Sequence, residues 1–522
     1  MSGINPTALA VFVFFFLLVT VLGFVAARWK AGDLSVLNEW GLAGRRFGTV
    51  ITWFLIGGDF YTAYTVIAVP ALVYAVGAYG FFALPYTIIV YPIVFATMPR
   101  LWAVCHRHNF ITPADFVHGR YGSHWLALAV AVTGILATMP YIALQLVGMQ
   151  VVIQAMGFGQ DGGAFLKDLP LIIAFVILAL YTYTSGLRAP AMIAFVKDVM
   201  IYVAVIAAVV VIPIHLGGYG AMFEAADKAF QAKGGATGII LKPEQLVPFA
   251  TLALGSALAA FMYPHTTTGV LSSASGDVVR RNAMFLPLYT ILLGLVALMG
   301  YMAIAVGVQA PSPSLTVPML FQAIFPDWFV GFAFAAIVIS ALVPAAIMSI
   351  AAANLVTRNI WKPYVNRDIT PQGEATLAKI VSLVVKLGAL AFILFLPTQY
   401  AIDLQLLGGV WIVQTFPAIV FGLFAPLGRW VRPTGLLGGW VVGMAIGTGI
   451  AFSQGLKPVH ALAFGGHTYT VYIGLTALVL NIVVAVVASA VAIAMNADRP
   501  HDITNPSDYG ATAPADSPEL AR

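Results

Sequence analysis

Charge is what this sequence has least of. Asp, Glu, Lys and Arg make up 9% of its 522 residues, against roughly 25% in an average soluble domain. So few charges cannot cover a water-facing surface, which excludes a soluble multidomain enzyme. Cysteine is nearly missing too. The single Cys105 rules out a disulfide framework within one chain and any multi-cysteine metal site. The nine histidines are scattered, mostly in loops, with no metal-ligand spacing. No catalytic cluster and no cofactor is expected. The net charge of +5 gathers into no patch, so nucleic acid is excluded as a partner.

What remains is apolar. Residues of the set AVILMFWYC make up 61% of the chain and the mean hydropathy is +0.95, which makes the lipid bilayer the partner. The apolar runs lie near 8–28, 47–77, 80–104, 124–157, 169–185, 190–214, 247–270, 282–308, 318–356, 376–396, 400–426, 433–452 and 466–495, where about 20 residues suffice to cross the hydrocarbon core. Strands of a membrane barrel would be about 10 residues of alternating polarity, and nothing alternates in that way. The expectation is an all-α polytopic membrane protein of about 13 transmembrane helices. The first run has no basic residue before it and exceeds a signal peptide's apolar core, so it reads as an uncleaved span.

Odd-numbered loops hold Arg28, Lys30, Arg45, Arg46, Arg100, Arg107, Arg120, Arg188, Arg280, Arg281, Arg358, Lys362, Arg367, Arg429 and Arg432. Even-numbered loops hold only Lys167, Lys228, Lys233, Lys242 and Lys457. Basic loops stay cytoplasmic, which predicts the N-terminus outside and the C-terminus inside. Apolar residues at helical spacing over 219–233 predict an amphipathic helix on the outer face. The tail after Asn496, rich in Pro, Asp, Ser and Ala, is expected to be disordered.

Ionisable groups inside a bilayer cost about 2.5–3.5 kcal/mol each on insertion scales, so the few present are candidates for function. Asp59 follows Gly57-Gly58 and precedes Pro70 within the second run. Gly pairs and Pro loosen a helix and free backbone groups to face a cavity; a structural carboxylate is the alternative. The seventh run breaks at Tyr263-Pro-His-Thr-Thr-Thr-Gly269, where Pro264 removes a helix hydrogen bond. His265 there reads equally as functional or as part of a helix end. Interrupted helices five spans apart point to a transporter's midplane site. The sixth run carries Lys197-Asp198, about 100° apart on a helix and so not bound to pair; Lys197 reads equally as a helix-start lysine. Lys386 reads as a lysine snorkelling beside Lys379. Gln145 suits either a solute contact or helix packing, while Asp403, Gln405 and Gln414 around Gly408-Gly409 read as a flexible gate or as close packing. A channel would need a continuous polar pore, and these polar groups cluster instead at the breaks.

With these residues the chain resembles the sodium:solute symporter family. The matching strings are Trp40-Gly-Leu-Ala-Gly-Arg-Arg-Phe-Gly48, the Gly-Gly-Asp-Phe stretch ending at Phe60, and Pro264-His265. Ser185-Gly-Leu-Arg-Ala-Pro-Ala191, Tyr263–Ser273 and Ala351–Ile360 are most similar to its bacterial monocarboxylate permease branch. The resemblance implies a leucine-transporter-like inverted 5+5 repeat with an extra N-terminal helix. Its parts would be 1–46, the repeats 47–214 and 247–426 flanking an outer loop at 215–246, two further helices over 427–495, and the tail 496–522.

It also implies cation-coupled symport of a small monocarboxylate such as lactate, pyruvate, acetate or propionate across a bacterial inner membrane. No obligatory protein partner is implied. The alternatives are a sodium-coupled carrier of another small organic solute and a transporter-like sensor with a separate signalling partner. Sodium would be held by backbone carbonyls mapping to Gly57 and Phe60, completed by paired hydroxyls on the ninth span. Here that pair falls on Ser349 and Ile350, or on Val343 and Pro344. Two side-chain oxygens are not both present, and sodium needs oxygen ligands. A lysine at the position of Lys197 places its ammonium where sodium would lie in proton-coupled relatives of this architecture. The coupling ion is therefore Na+ or H+, with Asp59, Lys197 and Asp198 as its candidates. Tyr61, Thr62 and Thr65 near the first break, Ser256 and Tyr263 near the second, with Gln145 and Gln414, are the candidates for holding the solute.

Overall fold

The computed structural model describes residues 5–29, 32–158, 164–234, 237–395, 398–496 and 501–510. Its helices in order are α1 (Pro6–Val25), α2 (Thr49–Phe60), α3 (Ala63–Val76), α4 (Ala83–Arg107), α5 (Pro113–Tyr121), α6 (His124–Ala155), α7 (Ala164–Ser185), α8 (Arg188–His215) and α9 (Tyr219–Ala232). There follow α10 (Pro243–Ala260), α11 (Pro264–Leu271), α12 (Pro287–Val306), α13 (Asp327–Leu355), α14 (Pro371–Phe395), α15 (Thr398–Ile412), α16 (Pro433–Ser453) and α17 (Ile473–Ala494); further, unnumbered short helices, among them Gly276–Phe285 and Thr316–Ile324, lie in the connections. Among the described residues 11 helices are long and apolar enough to cross a membrane, or up to 13 when two bent pairs each count as one span. The bent pairs are α2 with α3, at 42°, and α10 with α11, at 49°.

Burial grades the helices by position. In α13 94% of the most apolar window is buried, against 17% in α1. The first is the central pillar and the second a peripheral addition. Gly331 lets α13 approach the backbone of Ala8 in α1. The amphipathic helix α9 forms where its spacing predicts, with Met222, Ala226 and Phe230 buried.

Two of the three branch strings owe part of their character to packing. Leu187 N–H donates to Trp40 O at 2.9 Å, and Arg188 Nη2 reaches Glu39 Oε2 at 2.5 Å. Gly41 leaves room for the amide of Asn354, and Asn359 Nδ2 donates to Asp115 Oδ1 at 2.8 Å. The segments around Trp40, Ser185–Ala191 and Ala351–Ile360 thus lock one end of the bundle together.

Two expectations change. The thirteenth run does not begin as a helix: Val459–Phe464 (β1) and His467–Tyr472 (β2) form an antiparallel hairpin, and α17 starts only at Ile473. Gly465 and Gly466 turn it with φ of 58° and 79°, a conformation glycine adopts without penalty, and the β-branched run after them favours a strand. The tail expected to be disordered is ordered at 501–510, while 497–500 and 511–522 lie outside the described residues. Asp502 ion-pairs with Arg120, and Ile503 N–H donates to Gly119 O at 3.0 Å. Asp508 meets Arg107 at 2.9 Å and His108 at 2.8 Å.

Burial opposes the charge on Asp508, but hydrogen bonds from the Asn505 amide, His108 and Arg107 outweigh it and hold its carboxyl below the usual carboxylate range. A depressed native value stabilises above the unfolded one, and that contribution is lost as pH falls through the native value. Hydrogen exchange over 501–510 is therefore expected to show protection from pH 8 to pH 5 that fades below about pH 4. Protection over 501–510 as weak at pH 7 as at pH 4 would instead show that the Asp508 carboxylate does not hold the tail.

Candidate functional site

Both broken spans solve the same problem in the same way. Where α2 ends, the Phe60 carbonyl loses its helical partner and accepts the Thr65 hydroxyl at 2.9 Å. Thr62 caps α3 through the Thr65 amide at 3.1 Å. Where α10 ends, the Ala260 carbonyl accepts the Thr266 hydroxyl, also at 2.9 Å. A threonine just past each gap thus satisfies a carbonyl that the break would otherwise leave bare. The N-termini of α3 and α11 remain at the breaks with the positive ends of their dipoles.

A cavity of about 450 Å³ lies against these breaks. Asp59, Phe60, Thr65, Ser256 and Tyr263 line it, joined by Tyr86, Tyr141, His265, Thr266, Gln405 and Tyr472. Its remaining wall is largely aliphatic and aromatic, from residues such as Leu72, Leu252 and Leu293, and no described lining residue is Lys or Arg. Asp59 is buried, and neither of its oxygens has a hydrogen-bond partner. His265 Nε2 stands 3.6 Å from Asp59 Oδ2, and His265 Nδ1 is likewise unpartnered. The Tyr141, Tyr263 and His265 rings form a triangle with centroids 5.2 to 5.7 Å apart.

Behind α2 lies a second polar centre. The Lys197 ammonium donates to Gly58 O at 2.6 Å and to Tyr61 O at 3.0 Å, and it ion-pairs with Asp198 Oδ1 at 2.9 Å. Neighbours along α8, expected to diverge, therefore do pair: the long lysine side chain folds back to the carboxylate. Tyr289 Oη donates to Asp198 Oδ2 at 2.7 Å, the Tyr289 ring covers Gly57, and the Tyr61 hydroxyl donates to Tyr289 O. Gly58 leaves room for this packing: a Cβ there would stand 2.8 Å from Lys197 Nζ and displace it.

The carbonyls expected to face a cation are engaged elsewhere. Gly57 O accepts the Tyr61 amide and Phe60 O the Thr65 hydroxyl. The cation-facing pair is Gly58 and Tyr61, one residue further on. Ser349 does not complete it: its hydroxyl donates to Ala346 O and accepts from Ser382 Oγ at 3.3 Å, itself bonded to Lys386 at 2.7 Å. Aliphatic Val343, Pro344 and Ile350 offer no side-chain oxygen. The Gly58 and Tyr61 carbonyls, with Asp198, hold the Lys197 ammonium.

Other expectations relocate. Lys386 is fully enclosed instead of snorkelling, because α14 turns it toward α13 and Ser382. Tyr61 and Thr62 are buried at the break and do not line this cavity: the Tyr61 hydroxyl donates to Tyr289 O of α12, and the Thr62 hydroxyl is engaged with Thr65. Gln145 is buried off the cavity wall and donates to Tyr141 O at 3.3 Å. Gln414 joins α17, donating to Gly474 O and accepting from Asn481, so it glues helices and touches no solute space. The side chain of Asp403 lies outside the described residues. Tyr289 and Tyr472 escaped the sequence reading, since nothing in their local sequence marks either one.

The sodium:solute symporter family model matches residues 40–443. The chain is 62% identical over 490 residues to a Rhizobium johnstonii protein named monocarboxylate transport permease protein, covering 94% of this chain and 98% of that one. It is 38% identical over 422 residues to the uncharacterized symporter YodF of Bacillus subtilis, covering 80% and 83%. Its fold is similar to that of a Na+-coupled sialic acid symporter solved in a substrate-bound outward-open state, with a TM-score of 0.75 over 94% of this chain and 98% of that one. At 13% identity that likeness speaks for the fold alone.

Proposed function

The chain belongs to the sodium:solute symporter family, and from that premise we propose that it carries a small monocarboxylate together with a proton. As a family member it is a multi-pass secondary symporter and not an enzyme. The solute class rests on the relative named a monocarboxylate permease and on the chemistry of the cavity. A short apolar acid suits a largely apolar wall, and its carboxylate has hydroxyls and half-helix N-termini to meet in place of a guanidinium. Lactate, pyruvate, acetate and propionate are the solutes of choice. The arginine-rich end of the bundle, with the tail, faces the cytoplasm, and transport proceeds inward by alternating access about the two breaks.

The observation that carries proton coupling is the Lys197 ammonium on the Gly58 and Tyr61 carbonyls. It fills the position a coupling cation would take, and Asp59 and Lys197 are the groups placed to carry the proton. The solute class is tested with labelled acids in proteoliposomes. Lactate, pyruvate, acetate and propionate are expected to be taken up and to compete with one another, while succinate, proline and glucose leave lactate uptake unchanged. Uptake of proline or glucose in place of the acids would overturn the reading, and unimpaired acid uptake in a deletion strain would favour a sensor.

A further inference from the structure

The family model ends at residue 443, yet the wall of the cavity does not. Pro458 and Tyr472, the two ends of the β1–β2 hairpin, both line it. The hairpin is pinned at its base: Ile473 N–H donates to Pro458 O at 2.9 Å, and Tyr472 N–H to the Thr251 hydroxyl of α10 at 3.2 Å. The Tyr472 ring lies on Gly255 and Gly474, two positions where a side chain would block it. Its hydroxyl reaches Gly409 in α15, where a Cβ would stand 3.2 Å from Tyr472 Oη and 3.9 Å from Tyr263 Oη. Two phenol groups, from the hairpin and from the break before α11, therefore converge over one glycine. Both tyrosines are more than nine-tenths buried. Among the described residues their hydroxyls make no hydrogen bond, whereas buried Tyr61 and Tyr289 each donate one.

Two free O–H donors side by side match the two oxygens of a carboxylate. His265 packs against the Tyr263 ring at 5.2 Å and stands 3.6 Å from Asp59. We propose that Tyr472, delivered by the hairpin, completes the solute site: with Tyr263 it binds the carboxylate of the solute and sets the preference for monocarboxylates. This rests on the reading of the chain as a monocarboxylate carrier. It makes the hairpin and α17, beyond the family-wide core, part of substrate recognition.

The test is Tyr472→Phe in proteoliposomes, a change that keeps the ring and removes only the hydroxyl. A hydrogen bond to a charged group is worth about 1.5–3 kcal/mol, so KM for lactate, pyruvate and acetate is expected to rise about tenfold or more, with kcat within about twofold. Gly409→Ala, which intrudes on both hydroxyls from the opposite wall, is expected to raise KM in the same direction. Tyr472→Ala is expected to open the wall and admit longer acids such as butyrate and valerate. Wild-type KM in both Tyr472→Phe and Gly409→Ala overturns the proposal. A fall in kcat at unchanged KM overturns it as well, since that marks a structural role. Wild-type protein that carries no monocarboxylate at all would instead overturn the functional reading, and the proposal with it.

Discussion

Asp59→Asn is expected to abolish accumulation of solute driven by a pH gradient while leaving exchange of solute for solute. The amide keeps the size of the carboxyl but can neither bind nor release a proton. One pH unit corresponds to about 1.4 kcal/mol, or about tenfold accumulation at one proton per solute. The variant should lose that factor and equilibrate its solute to equal concentrations on both sides. Exchange requires only that the loaded carrier reorient, and the wall residues that grip the solute are untouched. The measurement is counterflow and gradient-driven uptake in the same proteoliposomes. Accumulation retained in Asp59→Asn would remove this residue from the coupling path.

Lys197→Gln is expected to have an effect as large, and for two separable reasons. The ammonium has three donors, and three oxygens stand within 3.0 Å of it: Gly58 O, Tyr61 O and Asp198 Oδ1. Removing the charge leaves Asp198 buried without a counter-charge, a loss of about 3–5 kcal/mol for a broken buried pair. It also removes the cation that spans the break between α2 and α3. The double variant Lys197→Gln/Asp198→Asn neutralises both partners and keeps an acceptor for the Tyr289 hydroxyl, so it should regain thermal stability. Transport should remain below about a tenth of wild type. A double variant that is stable and fully active would show that Lys197 only balances Asp198.

The scarcity of charge explains why this much of the site was legible. In a chain with 9% charged residues, Asp59, Lys197 and Asp198 stand out without any structure, and Gly57-Gly58 and Pro264 mark the breaks beside them. The tyrosines do not stand out. Tyr86, Tyr141, Tyr289 and Tyr472 are four of 20, and only tertiary packing selects them. Gln414 shows the converse, since a buried amide serves a solute or a neighbouring helix equally well until the position of Asn481 decides.

The fold was legible where hydropathy alone determines it, in the number and order of the spans. It was less so where local chemistry overrides hydropathy. The Gly465-Gly466 turn converts the start of an apolar run into a hairpin, and ion pairs to Arg120, Arg107 and His108 order part of a polar tail. The registers of the carbonyls at Gly58 and Tyr61, one residue from those expected, depend on where α2 actually ends. No pattern of residue types encodes that to a single position.

The proposal that a proton drives this carrier rests on the Lys197 ammonium that spans the Gly58 and Tyr61 carbonyls. The direct measurement is uptake of labelled lactate by proteoliposomes under an inward proton gradient with no sodium on either side. The account predicts accumulation of about tenfold per pH unit, unaltered when a potassium diffusion potential is imposed, since one anion and one proton move together without net charge. Accumulation that appears only with an inward sodium gradient, at equal pH on both sides, would contradict it.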